Sequence, residues 1–493
     1  MMRGMGMPST PHKKLLFLNP PAPVVVIRDY YCSKTSRSNY LFQPIDFVMQ
    51  SGILGADFQL LFIDAIRDRL SNAETFARVA ALNPDVIFFL AGAANHPADL
   101  DFLATLAQPG RVLIGSGDIF LTTPGNWLRQ HSFLDAVALD FTNSDIRNYL
   151  HGDYKLIKRM AYRSASGEIL EILDKSRSSP IQAGLPDHAL FLSDAYRFPF
   201  AKHQRFSVFL TDFGCPFHCR FCVMSSLPYN YRENAEAIAE LNSLHKLGVY
   251  ELFWMNQTFG VRKEAALELL TEMKNFTPRF SWTAFCRPDL LSDEKLLIAM
   301  AQAGCHTIVI GVENGSEEIL LQYRKEYTLA QIAEAFTLCR RHHIRTVGTF
   351  ILGLPGESVA TIQATSLLAR TIGCDFASFH VAVPRSATIL RQEAVQSGKI
   401  SDTDFSMDQA GSYITLCPDG IAQSTLMDLR REAVRKFYLR PGFLLRQLLQ
   451  KRSWYELSNM LYQGFFLIFG EAINLRKKKA AAKKTASWPE SRA

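Results

Sequence analysis

Short apolar runs alternate with amphipathic stretches along most of this chain, and that alternation allows few folds. Near the start, "KLLFLNPP" (from Lys14), "FQLLFIDA" (from Phe58), "PDVIFFLAGAA" (from Pro84), "RVLIGSGD" (from Arg111) and "DAVALDF" (from Asp135) read as five buried strands. Between them, stretches such as "NAETFARVAAL" (from Asn72) and "DLDFLATLAQ" (from Asp99) have helical spacing. Strands that are apolar on both faces belong to a parallel sheet covered by helices on each side, so residues 1–150 are expected to form a doubly wound α/β domain. Ligands of such sheets sit at the carboxyl ends of the strands. Here those ends read "NPP", "AGAANH" and "GSGD", whose small residues allow close approach to the backbone.

Residues 151–204 lack a period and contain "SASGE", "SRSSP" and "AGLPD", which reads as a linker. From Arg205 the alternation resumes. "FSVFLTDF", "YELFWMNQ", "RFSWTAFC", "HTIVIGVEN", "VGTFILGLPGE" and "DFASFHVAVP" are strand-like, each followed by a helical pattern. Six βα repeats over residues 205–400 predict a partial (β/α)6 barrel, with function gathered where the strands end. Residues 401–475 turn helical, and 476–493 form a basic segment expected to be loose.

The net charge of +7 invites a nucleic-acid reading, but its distribution opposes one. The last 18 residues, "RKKKAAAKKTASWPESRA", hold seven Lys and Arg against one Glu, so the rest of the chain is nearly neutral. A near-neutral body offers no surface for a phosphate backbone. The start shows no apolar core ahead of a cleavage site, and no apolar run reaches membrane-spanning length, so a cytoplasmic location is expected.

"TDFGCPFHCRFC" (from Thr211) places three of the nine cysteines, Cys215, Cys219 and Cys222, on a loop after the first barrel strand. A structural zinc site wants four protein ligands, usually as two separated pairs, and no second pair follows. A disulfide leaves one thiol over. Iron–sulfur clusters are held by thiolates, normally four; three would leave one iron open to a small molecule. Five other thiols, Cys286, Cys305, Cys339, Cys374 and Cys417, read as buried apolar residues, Cys417 with a redox or substrate-facing alternative.

"CPFHCRFC", after a strand that opens six βα repeats, resembles the radical S-adenosylmethionine (radical SAM) superfamily. The resemblance implies a [4Fe–4S] cluster on the three cysteines. Its open iron would chelate S-adenosylmethionine, which is then cleaved to a 5′-deoxyadenosyl radical. Phe221 matches the family's aromatic residue between the last two cysteines. By the same resemblance, Asn256 and Gln257 ("WMNQTFG") are candidates for the methionine amine, although many relatives are acidic there. Arg287 ("CRPD") would meet the cofactor carboxylate. Glu313 ("IGVENGS") would meet ribose hydroxyls or the amine, and Phe350, Ile351 and Gly353 ("GTFILGLPGES") the adenine. Lys325 is read as structural.

A five-stranded parallel domain ahead of such a barrel is similar to the cobalamin-binding subgroup, with a Rossmann-like first domain. The similarity implies cobalamin contacts by backbone near Asn19, Ala93, Gly115 and Gly117. No D-x-H-x-x-G histidine ligand exists in this chain, and the fifth strand ends in "LDFTNSD" rather than an acidic segment. With both cofactors, the implied reaction is methylation of an unactivated carbon of a small molecule, with a flavodoxin or ferredoxin as electron donor. Cyclisation, oxidation or rearrangement without methyl transfer is the alternative, and a cobalamin and iron–sulfur sensor is a third. The apolar "FLLRQLLQ" and "GFFLIFG" followed by basic residues raise a further expectation: a lipid, isoprenoid or tetrapyrrole substrate and peripheral membrane contact. The competing reading is a helix packed on the barrel with a loose tail.

Overall fold

The computed structural model describes residues 13–485 apart from 30, 175, 177, 411–413 and 450–452. The first strands are β1 (Lys14–Asn19), β2 (Val26–Asp29), β3 (Cys32–Thr35), β4 (Gln59–Asp64), β5 (Val86–Leu90), β6 (Val112–Ser116), β7 (Ala136–Ala138), β8 (Arg159–Arg163) and β9 (Ile169–Leu173). Seven of them form one sheet in the order β4-β1-β5-β6-β7-β8-β9, parallel from β4 to β7 and antiparallel at β8 and β9. The five predicted strands are present. β5 is buried along its whole length, as a strand sandwiched between helices must be. The helix Asn72–Leu82 is closed by a capping box between Ser71 and Glu74.

Two features of this domain differ from the expectation. Residues 151–204 are not a bare linker: Arg159–Leu173 supply the antiparallel hairpin that extends the sheet. β2 and β3 form a separate antiparallel hairpin that folds over the carboxyl ends of the parallel strands.

The remaining strands are β10 (Ser178–Pro180), β11 (Ser207–Phe209), β12 (Asp212–Phe213), β13 (Tyr229–Tyr231), β14 (Glu251–Trp254), β15 (Ser281–Cys286), β16 (Cys305–Glu313), β17 (Arg345–Leu352) and β18 (Phe376–Val381). β11-β14-β15-β16-β17-β18 follow in chain order, every pair parallel, which is the open, partial (β/α)6 barrel predicted. β10, β12 and β13 make a small sheet beside it. The helix Gln423–Tyr438 packs on β18, where Arg430 donates to the Phe379 carbonyl (2.8 Å) and Tyr438 to the Ala377 carbonyl (2.7 Å).

The two sheets share a core. Leu15, Phe17 and Phe88 of the first sheet belong to one buried cluster with Phe206, Val208 and Phe253 of the barrel side. Phe198 stacks on Phe253 with ring centroids 4.0 Å apart, and Phe42 meets the same ring edge-on at 5.0 Å. The long helix Trp454–Thr485 is the last of the described elements. Arg476–Thr485, expected as loose tail, continue this helix, and the rest of that tail lies outside the described residues.

Gly117 shows how tightly the end of the first sheet is closed. Its φ is +136°, and an added Cβ would lie 1.8 Å from the Ala91 carbonyl oxygen. Gly117→Ala is expected to cost about 1–3 kcal/mol for the backbone conformation alone, read as a lower urea midpoint at unchanged slope.

Candidate active site

A cavity of about 830 Å³ opens at the carboxyl ends of the barrel strands. Its walls come from the cysteine loop, the strand ends, the β2–β3 hairpin and the helix Trp454–Thr485. Strand geometry decides which residues face it. On β17, Arg345, Val347, Thr349 and Ile351 line the cavity, while the alternate residue Phe350 points outward and stacks on Phe379 at 5.2 Å.

Cys215, Cys219 and Cys222 all line this cavity. The loop leaves β12 through Gly214, whose φ is +80° and whose Cβ position lies 2.0 Å from the Pro228 carbonyl, so no side chain fits there. The loop then winds on itself. The Cys222 amide and the Ser225 hydroxyl both donate to the Cys219 carbonyl, at 3.2 and 3.0 Å. Burial pushes the Cys215 thiol up, and burial followed by the nearby Cys219 pushes Cys222 up further. The two desolvated thiols Cys215 and Cys222 become thiolates only against strong positive charge, which a bound metal cluster would supply.

Beside the thiols stands a charged row. Glu313 sits at a register shift in β16 with a left-handed φ of +66°. It accepts from Lys325 Nζ at 3.1 Å, and that ammonium lies 5.4 Å from the Phe221 ring. Arg287 is 4% exposed. Its Nε and Nη2 donate to Asp289, both at 3.0 Å, and its guanidinium lies 3.6 Å from the Phe217 ring centroid. Its Nη1 is buried with no partner. The two-pronged face of the guanidinium is therefore spent on Asp289, and Nη1 is left.

Of the residues singled out from the sequence, Phe221, Gln257, Arg287, Glu313 and Ile351 line the cavity. Asn256, Phe350 and Gly353 stand behind its wall. Asn256 Oδ1 accepts from the Thr211 and Asp212 amides (2.9 and 3.1 Å), which fixes the chain entering the cysteine loop. Gly353 has φ +88° and donates its amide to Glu357 at 2.7 Å.

Asn19, Ala93, Gly115 and Gly117 are also away from the cavity, because protein groups already fill the end of the first sheet. Asn19 donates to Asp64 (2.9 Å) and accepts from Arg28 (2.8 Å). The Ala93 amide donates to Asp118 at 2.9 Å, and the Gly115 Cβ position lies 2.9 Å from the Phe120 ring. The β2–β3 hairpin locks over this end: Arg28 donates to both Asp99 oxygens (2.8 and 2.6 Å), and Ser33 donates its amide and hydroxyl to Asp118 (both 2.8 Å).

The first domain meets the cavity through the hairpin and the chain after it, and these residues were not singled out in the sequence. Asp29 is 5% exposed, with Oδ1 unpartnered. Cys32 and Lys34 stand beside it, and Arg385 and His380 face them from the barrel. Burial, with the surrounding cations, pushes the His380 imidazole down to about 3, so that ring stays neutral. Arg385 donates to Gln409 at 2.7 Å. "RDYYCSK" carries these groups in one short stretch, but its relation to the cysteine loop depends on the hairpin's fold.

A half barrel with a three-thiol loop at its mouth defines a class, and comparison with known proteins agrees: residues 211–369 match the radical SAM superfamily. The chain is 30% identical over 445 residues to an uncharacterised methyltransferase of Pyrococcus horikoshii, covering 85% of this chain and 94% of that one. It is 24% identical over 409 residues to the anaerobic magnesium-protoporphyrin IX monomethyl ester cyclase of Rubrivivax gelatinosus, covering 79% and 72%. Its fold resembles that of the radical S-adenosylmethionine methyltransferase TsrM from Kitasatospora setae, solved with cobalamin and a [4Fe–4S] cluster. That match has a TM-score of 0.66 at 14% identity and covers 95% of this chain and all of that one. The chain belongs to the radical SAM superfamily, and the α/β domain ahead of its barrel is part of the fold it shares with TsrM.

Proposed function

We propose that this chain is a radical SAM methyltransferase that adds a methyl group to an unactivated carbon of an apolar small molecule. The observation that carries the reading is that Cys215, Cys219, Cys222 and the unpartnered Arg287 Nη1 face one cavity beside Glu313. When bound, the cluster supplies the electron that cleaves S-adenosylmethionine, and cobalamin supplies the methyl group.

The three cysteines hold the cluster. Arg287 Nη1 offers a donor for the carboxylate of S-adenosylmethionine, Glu313 and Gln257 offer acceptors for its amine and hydroxyls, and Ile351 an apolar face for its adenine. Cobalamin is assigned to the hairpin side of the cavity rather than to the closed sheet end. There Asp29 Oδ1, Lys34 and Arg385 offer polar partners to its amides, and a histidine ligand of the D-x-H-x-x-G kind is absent from the sequence. The electron comes from a low-potential carrier such as a flavodoxin or ferredoxin. Phe42, Phe198, Phe253, Phe285 and Phe376 line much of the remaining wall, which favours a lipid, isoprenoid or tetrapyrrole-like substrate.

Cyclisation or oxidation without methyl transfer is the second reading, favoured by the likeness to the magnesium-protoporphyrin cyclase. Protein reconstituted anaerobically with iron, sulfide and hydroxocobalamin separates the two. Equal formation of 5′-deoxyadenosine and S-adenosylhomocysteine supports methylation, and 5′-deoxyadenosine alone supports the second reading. Arg287→Lys is expected to raise the KM for S-adenosylmethionine at least about tenfold with a smaller change in kcat, because the lysine reproduces neither the Asp289 fork nor Nη1. An unchanged KM removes Arg287 from the site.

A further inference from the structure

The last helix does something that a helix packed on a soluble enzyme does not. One face is anchored to the body. Asn459 donates to the Phe198 carbonyl at 2.8 Å, the Arg197 guanidinium lies 4.7 Å from the Tyr462 ring, and at Gly470 an added Cβ would lie 2.6 Å from the Arg37 carbonyl. The opposite face is apolar and bare: Trp454 (84% exposed), Leu461 (63%), Phe465 (51%), Ile468 (69%) and Leu475 (50%) recur at helical spacing. Water-facing positions on a packed helix are normally polar, so this stripe marks a contact surface.

Three further observations identify what covers it. Leu461, Phe465 and Ile468 are exposed and also line the cavity, so the stripe forms part of the cavity rim. From Leu439 to Thr485 the chain carries ten Lys and Arg against two Glu. Among the described residues no helix is long and apolar enough to cross a membrane, so the stripe suits lying on a bilayer rather than spanning it. An apolar stripe beside a basic run is the pattern of an interfacial helix that inserts shallowly while its cations meet acidic headgroups.

We infer that the helix Trp454–Thr485 docks the enzyme on an anionic lipid bilayer, with the rim of the cavity facing the hydrocarbon so that an apolar substrate enters from the membrane. The route for substrate rests on the function proposed above, whereas the docking stands apart from it.

The test is co-sedimentation of the full-length protein with phosphatidylglycerol-containing vesicles and with pure phosphatidylcholine vesicles, at low and high salt. Strong binding to the anionic vesicles, weakened by salt and at least tenfold lower on neutral ones, is expected. Leu461→Gln/Phe465→Gln/Ile468→Gln is expected to reduce binding at least tenfold. Arg476→Gln/Lys477→Gln/Lys478→Gln/Lys479→Gln is expected to remove the preference for anionic lipid. Both variants are checked for native circular dichroism. Failure to bind anionic vesicles, or binding untouched by the first variant, overturns the inference. So does a stable dimer in the absence of lipid that the first variant dissociates, since a second copy would then cover the stripe. Cleavage of S-adenosylmethionine by the unsubstituted protein is measured without vesicles and does not depend on docking, so failure of docking is distinguishable from failure of the proposed chemistry.

Discussion

Cys219→Ala, purified and reconstituted anaerobically beside the wild type, is expected to lose the cluster's broad visible absorption. Its iron content should fall from about four atoms per chain towards zero, and S-adenosylmethionine cleavage should become undetectable. Cys219 is 7% exposed and lines the cavity between the other two thiols of its loop. Its carbonyl, not its thiol, holds the turn together, so alanine keeps the fold while removing a ligand. The Cys215 and Cys222 variants are expected to behave alike. By contrast, Cys305→Ala and Cys374→Ala remove thiols buried in the barrel core and should keep full iron content at a modest cost in stability. A Cys219 variant that retains its iron and activity would sink the cluster assignment.

Asp99→Ala is expected to be the most damaging single change outside the site. Asp99 is fully buried, takes two hydrogen bonds from Arg28, and also accepts from the Gly92 amide (3.0 Å) and Asn95 (2.7 Å). Its loss strands a buried guanidinium, which typically costs about 3–5 kcal/mol. That is a large part of the total stability of an ordinary protein, about 5–15 kcal/mol. Arg28→Met/Asp99→Leu removes both charges and is expected to recover most of the loss, because apolar residues of similar volume often replace a buried pair without penalty. Urea unfolding of Arg28→Met, Asp99→Leu and the double variant closes the cycle. If Asp99→Ala unfolds at the wild-type midpoint, the hairpin is not held by this pair.

What the sequence made legible is what short-range chemistry specifies. The three cysteines fall within eight residues, and the apolar runs are long enough to identify the five parallel strands of the first sheet and all six of the barrel. Two kinds of information were hidden. The β2–β3 hairpin has no Asn-Gly or Asp-Gly turn to announce it, and it is fixed by an Arg28–Asp99 contact spanning 71 residues. For that reason Asn19, Ala93, Gly115 and Gly117 read as an open ligand edge but are covered, while Asp29, Cys32 and Lys34 went unseen. The second kind is strand phase. Period-2 alternation turns Phe350 away from the cavity beside Ile351, and the register shift at Glu313 restores a facing residue where a regular strand would not. Lys325, read as structural, stands on the cavity wall because its partner is that shifted glutamate.

The aromatic core common to the two sheets restricts how the enzyme can move. A clamshell opening between the parallel sheet and the half barrel would part Phe198, Phe42 and Phe253 and uncover Leu15, Phe17 and Phe88. Each such side chain costs about 1.5–3 kcal/mol to bring into water, too much to be repeated at every turnover. The two halves therefore behave as one rigid vessel. Molecules then enter and leave through its rim, along which the helix Trp454–Thr485 lies.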